Sequence, residues 1–405
     1  MAGVKVDSRP SALPIGGVGM DFHLDERRQM LIDTLRRFVR KECPPSFARK
    51  IDEEETFPRD LYRKMAELGL MALPFPTEYG GIGGDVLDEV LVVEELSKAS
   101  AAIGLTYFLS TCFGGKSLEF FGTEDQKRLY LPKLFSGDSL FSLALTEPGG
   151  GTDILGSLRT KAVRQGDYYV ISGQKTFITG AHVADYLVTV VRTGLSNQKK
   201  SKGLSVFLIE RDSPGIEIRP LRKLGIRATG SNEIFFNEVR VPAKNLMGIE
   251  NEGWGQIVHT LNNERVALAG VSLGIGQAAF EHALSYAMER YAFSRPIGQF
   301  QMIQRYLVET AVELEMARLL TYKAAWMQSR NMRSAKESAM AKLAASEVGF
   351  RAALRGMRIL GGYGYMMEYD MQRFFRDAEL FLVAPITNEM AINFIAAEMG
   401  LPRSY

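Results

Sequence analysis

The chain has 405 residues, and its 49 Lys and Arg residues nearly balance 47 Asp and Glu residues, which gives a formal net charge of +2. This balance leaves no basic surplus for a phosphate backbone, which disfavours nucleic-acid binding as the main activity. The length predicts two or three domains. No run of about 18 apolar residues occurs, so we expect no membrane span.

Cysteine and histidine usage limits the chemistry further. Cys43 and Cys112 are the only cysteines, and neither they nor the four histidines have the spacing of a disulfide framework or a metal site. We therefore expect no bound metal and a reducing compartment, which we take to be the cytoplasm. Residues 1–21 lack the apolar segment of a secretory signal and predict a flexible tail.

Three zones follow the tail in chain order, and together they indicate an α+β multidomain protein. Residues 22–139 have apolar positions three and four apart and predict an N-terminal α-helical domain. Residues 140–246 predict a middle β domain, a barrel or sandwich, because turn residues separate short β-branched and aromatic runs. Residues 247–405 predict a C-terminal four-helix bundle. The β runs are 141–145, 168–171, 176–179, 186–191, 204–209 and 234–241, and the C-terminal helical runs are 252–290, 297–330, 334–360 and 370–398.

A carboxylate interrupts the apolar stripe of the first C-terminal helix. Apolar residues recur there at alternating intervals of four and three, and Glu264 occupies one of these core positions between Leu261 and Leu268. Burial raises a carboxyl pKa unless a cation pairs with it, and a raised pKa suits a general base near neutral pH. The pattern leaves two interpretations open, a catalytic base or a structural ion pair with an arginine such as Arg265.

Three glycine-rich segments differ in what they indicate. Gly270-Val-Ser-Leu-Gly-Ile-Gly lies within a helical pattern, so its small residues indicate close helix packing rather than a dinucleotide-binding turn. Thr146-Glu-Pro-Gly-Gly-Gly-Thr-Asp follows a strand, and its backbone N–H groups can either bind a cofactor or form a tight turn. Gly361-Gly-Tyr-Gly lies between two helices and is either a helix stop or a close approach of the backbone to a ligand.

Eight short segments occur in an order that is characteristic of one family. On these segments, and over nearly all of residues 22–402, the chain resembles the acyl-CoA dehydrogenase family. The segments are Pro76-Thr-Glu-Tyr-Gly-Gly, Thr146-Glu-Pro-Gly-Gly-Gly-Thr-Asp, Gly173-Gln-Lys-Thr-Phe-Ile-Thr-Gly, Lys223-Leu-Gly-Ile-Arg, Val239-Arg-Val-Pro, Asn263-Glu-Arg-Val-Ala-Leu-Ala, Arg290-Tyr-Ala-Phe-Ser-Arg-Pro-Ile-Gly-Gln-Phe-Gln, and Ile359-Leu-Gly-Gly-Tyr-Gly-Tyr followed by Phe375-Arg-Asp-Ala.

The resemblance implies bound FAD, a homotetramer and an electron-transfer flavoprotein as electron acceptor. It assigns Arg290, Phe293, Gln301 and the backbone of 358–362 to a neighbouring subunit, and it implies the full set of residues that contact the flavin. These residues are Leu143, Leu145, Thr146, Gly151, Thr152, Phe177, Ile178, Thr179, Arg290, Phe293, Gln301, Arg358, Gly361, Gly362, Thr387 and Glu389. Contacts with the acyl-CoA substrate are implied for Thr152, Asn262, Arg265 and Pro385.

The resemblance also concerns the catalytic base. Most of the family carries a glutamate in a Tyr-Glu-Gly-Thr segment after Arg-Asp-Ala, but the matching stretch here, Ala384-Pro-Ile-Thr, has none. A minority branch, similar to isovaleryl-CoA and long-chain-type enzymes, places the base on the preceding helix in a Leu-x-x-Glu-Arg setting. Leu261-Asn-Asn-Glu-Arg matches that setting. The stripe and the resemblance therefore both indicate Glu264.

Pro385 departs from the family pattern in a way that affects the chemistry. Family members donate a backbone N–H from this position to the thioester carbonyl, and proline has no N–H. We therefore expect compensation by the N–H of Ile386, by a rotated thioester that uses another donor, or by a substrate with a more acidic α-proton. The alternative is that the proline only bends the chain and reshapes the pocket.

The sequence predicts a FAD-dependent acyl-CoA dehydrogenase in which Glu264 removes the α-proton of a CoA thioester and the flavin accepts the β-hydride. The sequence does not name the acyl chain, and branched, cyclic, aromatic and dicarboxylic groups are candidates beside a straight chain. Two alternatives stay open on the same fold. One is a lyase that eliminates a β leaving group without net oxidation, and the other is a catalytically silent subunit of a mixed oligomer.

Overall fold

The computed structural model describes residues 23–194 and 201–402, so the tail assigned to residues 1–21 lies outside the described residues. The chain begins with a set of helices joined by short turns. A π-helical turn, Leu109–Lys116, separates the fifth helix from the sixth. The helices are α1 Glu26–Glu42, α2 Pro45–Glu53, α3 Arg59–Glu67, α4 Val86–Ala99, α5 Ala101–Phe108, α6 Ser117–Phe121 and α7 Glu124–Phe135.

Side-chain caps fix the start of several of these helices. The Asp25 carboxylate accepts the N–H of Arg28 at 2.8 Å, and Asp85 and Thr123 each form a capping box. α4 is buried along nearly its whole length because it contacts α1, α5 and two C-terminal helices, α9 (Gly253–Glu289) and α10 (Gln301–Ser329). Polar residues on α4 therefore lie inside the protein, where an unpaired charge is unfavourable.

A single mixed sheet of eight strands follows, in the order β6-β7-β3-β2-β4-β5-β8, and β1 pairs in parallel with β4. The longest pairing is antiparallel, between β3 and β7, and runs from Tyr168 opposite Pro242 to Thr179 opposite Ser231. The short helix α8, Ile154–Ser157, lies between β1 and β2. The strands are β1 Phe141–Ala144, β2 Lys161–Gln165, β3 Tyr168–Thr179, β4 Tyr186–Arg192, β5 Leu204–Glu210, β6 Ile216–Leu221, β7 Ser231–Pro242 and β8 Leu246–Met247.

The sheet differs from the sequence-based expectation at four strands, β2, β3, β6 and the two-residue strand β8. Runs 168–171 and 176–179 are two parts of β3, which continues through register shifts near Gly173 and before Ile178. β2 and β6 gave no sequence signal because most of their side chains are exposed or half-buried. Pairing with β3 and β7, rather than an apolar pattern, holds these two strands.

Long helices form the C-terminal part of the chain. α9 Gly253–Glu289 is followed by a small hairpin of β9 Tyr291–Ala292 and β10 Arg295–Pro296, then by α10 Gln301–Ser329 and α11 Ala335–Leu360. The glycines of α9 permit close packing. A Cβ on Gly274 would lie 2.5 Å from the Glu94 carbonyl of α4, and one on Gly270 would lie 2.9 Å from Val93. The helix-packing interpretation of this segment is therefore correct.

The expectation of one helix over 370–398 is wrong. The chain instead forms α12 Met371–Val383 and α13 Asn388–Glu398, which meet at an angle of 43°. Pro385 has no N–H for a helical bond and disfavours a helical residue before it. Thr387 then caps the new helix by accepting the N–H of Met390 at 3.2 Å. Similarly, the run 297–330 begins with a 3₁₀ turn, Ile297–Gln299, and becomes α-helical at Gln301.

No single helix in 23–194 and 201–402 is long and apolar enough to span a membrane; only the bent pair α12 and α13 reaches that length and composition together. In the same ranges, no three His, Cys, Asp or Glu side chains are grouped so that they could hold a metal ion.

Candidate active site

Glu264 lies in the interior on the fourth turn of α9. Its side chain is 5% exposed, and the stripe neighbours Ile257, Leu268 and Val271 are also buried. The Oε2 atom is buried and has no hydrogen-bond partner. Desolvation raises the pKa of the carboxyl to about 8, against a smaller opposing effect from the charge of Arg265. A carboxyl group in this state can accept a proton near neutral pH.

Arg265 does not form the structural ion pair with Glu264 that the sequence left open. Among the described residues, no hydrogen bond or ion pair joins the two side chains. The guanidinium instead donates through Nη1 to Asn262 Oδ1 at 2.9 Å and lies 5.3 Å from the centre of the Phe394 ring. Its Nε is buried without a partner. Asn262 and Arg265 are therefore linked to each other beside Glu264, with one donor unused.

The loop after β1 is fixed against the end of β3. Thr176 donates its N–H to the Thr146 carbonyl at 2.9 Å, and Ser142 Oγ donates to the Thr179 carbonyl at 2.6 Å. The structure thus brings the predicted loop of Leu143–Thr146 next to the predicted strand segment 177–179. Gly151 and Thr152 are exposed farther along the loop, beside a cleft of about 410 Å³ lined by Gly149, Asp153 and Arg159.

A buried ion pair that the sequence analysis missed supports this loop. Lys175 is fully buried and donates through Nζ to Glu147 Oε1 and to the Leu145 carbonyl, both at 2.9 Å. Glu147 also accepts the N–H groups of Arg159 and Thr160. Burial lowers the pKa of Lys175 to about 8, although the Glu147 charge opposes this shift. The two residues are 28 positions apart, so no local pattern connects them.

Phe177, near the end of β3, is exposed and has an unusual backbone conformation. Its side chain is 69% exposed although it lies among core strands, and its φ of 59° is unusual for a residue with a side chain. An exposed aromatic ring held in a strained backbone conformation is typical of a ligand site. Ile178 is different, because its side chain is in the core and its carbonyl accepts a bond from Asn232 at 2.9 Å. The exposed ring of Phe177 therefore leaves room for a planar ligand, whereas the carbonyls of Ile178 and Thr179 are already bonded within the chain.

A second group of predicted residues meets at the other end of α9. A cleft of about 490 Å³ is lined by Arg290 from the end of α9 and by Ile359, Leu360 and Gly362 from the end of α11. Phe293, in the hairpin, is 91% exposed with a φ of 51°. A Cβ on Gly361 or Gly362 would meet no atom within 4 Å, so the backbone there is open to a ligand. Arg358 precedes this segment, and Gln301 begins α10 close to the hairpin.

The two groups are separate within one chain. Among the described residues, no hydrogen bond or ring contact joins Arg290, Phe293 or Gly362 to Glu264 or to the strand segment 177–179. The residues that the resemblance assigns to a neighbouring subunit are thus the ones that stand apart.

The turn between α12 and α13 holds the remaining predicted residues, Pro385, Thr387 and Glu389. It is anchored through Asn388, which sequence reasoning missed. Asn388 Oδ1 accepts from Lys342 Nζ at 2.6 Å and from Ser346 Oγ at 3.0 Å, and its Nδ2 donates to Glu347 at 2.8 Å. Lys342 is buried, and desolvation lowers its pKa to about 8. Phe394 of α13 lies against Arg265, which links this turn to the helix of Glu264.

Family models match three successive parts of the chain. The acyl-CoA dehydrogenase N-terminal domain matches residues 25–138, the middle domain 142–239 and the C-terminal domain 251–400. The chain therefore belongs to the acyl-CoA dehydrogenase family, whose members are flavoproteins, and it is an oxidoreductase. The expected order of helical, β and helical parts is confirmed by this match.

Individual relatives cover almost the whole chain. The probable acyl-CoA dehydrogenase YngJ of Bacillus subtilis is 41% identical over 94% of this chain and 100% of its own length. The structure of butyryl-CoA dehydrogenase from Megasphaera elsdenii has a TM-score of 0.90 at 32% identity, covering 94% of this chain and 100% of that chain. A chain in the structure of the electron transferring flavoprotein of Acidaminococcus fermentans has a TM-score of 0.91 at 34% identity, covering 94% and 99%.

Proposed function

We propose that the protein catalyses the α,β-dehydrogenation of an acyl-CoA thioester with Glu264 as the base and FAD as the cofactor. The observation that carries this proposal is the buried carboxyl of Glu264, which has an unpartnered oxygen and a pKa raised to about 8. The pKa of a structural carboxylate is normally lowered by its partners. Glu264 has the opposite environment, which suits proton abstraction near neutral pH.

The site residues have complementary roles in this reaction. Glu264 removes the α-proton through Oε2, and burial excludes the water that would otherwise stabilise its charged form. A bound flavin supplies the acceptor for the β-hydride. Lys175 and Glu147 hold the loop that carries Thr146 against β3, so that Phe177 and the backbone of 177–179 present a fixed surface to the ring system. The turn at Pro385, anchored by Asn388, faces the thioester.

The electron acceptor and the assembly belong to the same proposal. An electron-transfer flavoprotein is the proposed acceptor, and the similarity to a chain in the Acidaminococcus structure supports it. A homotetramer is proposed because Arg290, Phe293 and Gly362 stand apart from Glu264 in one chain. Exposed apolar residues also follow one face of α10, at Val308, Val312, Met316 and Leu319, which is typical of a subunit contact. We place the assembly in the cytoplasm.

Replacement of the base tests the proposal. Glu264→Gln keeps the shape of the side chain but removes the proton acceptor. We expect the variant to retain bound flavin and to lose at least ~10²-fold in the rate of flavin reduction by an acyl-CoA. Glu95→Gln is the matched control, because Glu95 is also buried but is paired with Arg36 and Lys98. Reduction of Glu264→Gln within about tenfold of the wild-type rate would show that another residue is the base.

Anaerobic titration of the purified chain separates the proposal from its two alternatives. A dehydrogenase bleaches the flavin when an acyl-CoA from a panel of branched, cyclic, aromatic and dicarboxylic esters is added. A lyase converts its substrate without net bleaching. A silent subunit, purified alone, gives neither full flavin occupancy nor turnover. Bleaching together with turnover by this chain alone is the expected result.

A further inference from the structure

A second buried carboxylate is bonded to Asn263, the residue that precedes Glu264, and has no part in the reaction described above. Glu89, on α4, is 0% exposed. Its Oε2 accepts from Asn263 Nδ2 at 3.1 Å, and its Oε1 is buried without a partner. Burial raises the pKa of this carboxyl, and the charge of Lys116 opposes the shift. Asn263 immediately precedes Glu264 on α9, so the two carboxylates approach the same turn of one helix.

Several unused hydrogen-bonding groups lie around these carboxylates. Asn263 Oδ1, Glu264 Oε2 and the hydroxyl of Tyr107 are buried without partners, like Glu89 Oε1. The thiol of Cys112, in the π-helical turn, has its pKa raised first by burial and then by the charges of both Glu89 and Glu264. The thiol is therefore within electrostatic range of both carboxylates. Buried polar groups in native proteins are nearly always bonded, if not directly then through ordered water.

The charges that face Glu89 come from a few elements. Lys116 of the π-helical turn donates to Glu119 at 2.7 Å and to the Pro74 carbonyl, and no bond joins it to Glu89 among the described residues. Glu119 of α6 raises the pKa of Glu89, and Glu89 in turn raises that of Tyr107 on α5. α9 contributes Asn263, which is neutral. Glu89 is thus a carboxyl group with one free oxygen and no direct cation, which is the arrangement of a proton acceptor.

Glu264 needs such an acceptor in every catalytic cycle. After it takes the α-proton it must lose that proton before the next substrate arrives. Its charged neighbour Arg265 is a permanent cation and cannot accept a proton. Direct release to solvent is hindered because the carboxyl is buried on a core stripe.

We propose that Glu89 is a proton-relay residue, connected to Glu264 through water held by Glu89 Oε1, Tyr107 OH and Asn263 Oδ1. This proposal rests on the proposed role of Glu264 as the base. The proton leaves the Glu264 carboxylic acid, which becomes a carboxylate, and an equal proton arrives at Glu89, which becomes the acid. No electron is transferred in this step. The proton then leaves toward α6, where Glu119 is partly exposed.

Isotope exchange distinguishes the relay from proton abstraction itself. The holoenzyme is mixed in D₂O with a 3-thia-acyl-CoA, in which sulfur replaces the β-carbon so that a proton can leave but no hydride can. The absorbance change on deprotonation reports abstraction by Glu264. Deuterium at the α-carbon, counted by mass spectrometry, reports replacement of the proton on Glu264 by solvent. If Glu264 returns the original proton to the ester before that proton exchanges with solvent, no deuterium appears at the α-carbon.

We expect Glu89→Gln to deprotonate the ester at the wild-type rate and to incorporate deuterium at least about tenfold more slowly. Tyr107→Phe, which removes only the hydroxyl, is expected to slow incorporation in the same selective way and serves if Glu89→Gln does not fold. Glu95→Gln, on the same helix but paired with Arg36 and Lys98, is expected to behave as wild type in both measurements.

Wild-type deuterium incorporation in Glu89→Gln and in Tyr107→Phe would overturn the relay. Equal slowing of deprotonation and incorporation would also overturn it, because that result indicates a structural effect on Glu264. Failure of the proposed base gives a different pattern, since Glu264→Gln would then deprotonate the ester normally whatever the behaviour of Glu89→Gln.

Discussion

At the scale of single residues, the site is defined by carboxylates placed where aliphatic side chains are expected. Glu264 continues a stripe of buried apolar residues on α9 and has no cation bonded to it. A buried, unpaired carboxylate is unfavourable when ionised, and folding then favours the protonated form. The same property that makes Glu264 a suitable base therefore makes it a source of instability at high pH.

The pH dependence of stability tests this property without any cofactor chemistry. The folded-state pKa of Glu264 is about 8 against an ordinary value of 4.5, so the folded state binds the extra proton between these values. The contribution of the protonated Glu264 carboxyl to the free energy of unfolding is full below pH 4.5 and is lost as the pH rises through 8. Ionisation costs on the order of 5 kcal/mol above that range.

We accordingly expect Glu264→Gln to be more stable than the wild type at pH 9 and to lose this advantage by pH 5. The free energy of unfolding is measured by urea unfolding followed by circular dichroism. The upper limit of the difference is ~5 kcal/mol. Glu95→Gln should show no such gain at pH 9, because Glu95 is paired with Arg36 and Lys98. A constant difference between Glu264→Gln and wild type across the range would indicate that the carboxyl does not titrate in the folded protein.

At the scale of elements, apolar periodicity predicted most of the architecture. The long helices α9, α10 and α11 and the core strands β4 and β5 have continuous apolar patterns, and each lies within a residue or a few of its expected bounds. β2 and β6 are mostly exposed and depend on pairing with strands that are distant in sequence. The break between α12 and α13 could have been expected from Pro385, because a helix interior rarely contains proline.

The sequence predicted the site only where a side chain contradicts its own local pattern. Glu264 stands out in a stripe, and the glycine loop after β1 stands out by composition. The bond of Lys175 with Glu147 spans 28 residues, and that of Asn263 with Glu89 spans 174. Such pairs are determined by how elements pack, which a single sequence does not display.

The buried pair of Lys175 and Glu147 is expected to hold the loop after β1, residues 145–152, in place. Lys175→Met removes the cation and leaves Glu147 buried with only backbone donors, so we expect a loss of about 3–5 kcal/mol in unfolding free energy. Weaker flavin binding, measured by release of flavin absorbance on ultrafiltration, should accompany it. The double variant Lys175→Met with Glu147→Gln removes both charges and should recover part of the stability. A double variant no better than the single one would count against the pair.

The turn that separates α12 from α13 permits a test of the missing N–H at Pro385. Pro385→Ala and Pro385→Gly both restore an N–H at that position. We expect deprotonation of a 3-thia-acyl-CoA to hold at the wild-type rate or to rise, by up to ~10²–10³-fold if the new N–H reaches the thioester carbonyl. Ala serves as the control for the greater backbone freedom of Gly. A large fall in rate in both variants, with unfolding free energy unchanged, would contradict the assignment of this position to the thioester.

At the scale of the whole molecule, the distribution of the predicted flavin residues suggests an assembly. Phe177 lies in β3, beside the loop after β1, whereas Arg290 and Gly362 line a separate cleft at the far end of α9. Phe293 lies in the hairpin that follows α9. An apolar row along α10, formed by Val308, Val312, Met316 and Leu319, is exposed in the single chain. In the homotetramer proposed above, a second copy would cover this row.

Flavin binding is therefore expected to depend on oligomerisation. Val312→Asp places a charge in the exposed row on α10 without changing any residue predicted to contact flavin. We expect the variant to dissociate into smaller species and to lose its flavin at the same protein concentration, as measured by sedimentation velocity recorded at both protein and flavin wavelengths. Met30→Asp is the matched control, because Met30 is equally exposed but lies on α1, away from this row. It should keep both the assembly and the flavin.

Dilution of the wild type should likewise release subunits and flavin together, because each flavin would be held by two chains. A monomeric Val312→Asp that retains one flavin per chain would show that a single subunit is sufficient and that Arg290 and Phe293 serve some other purpose.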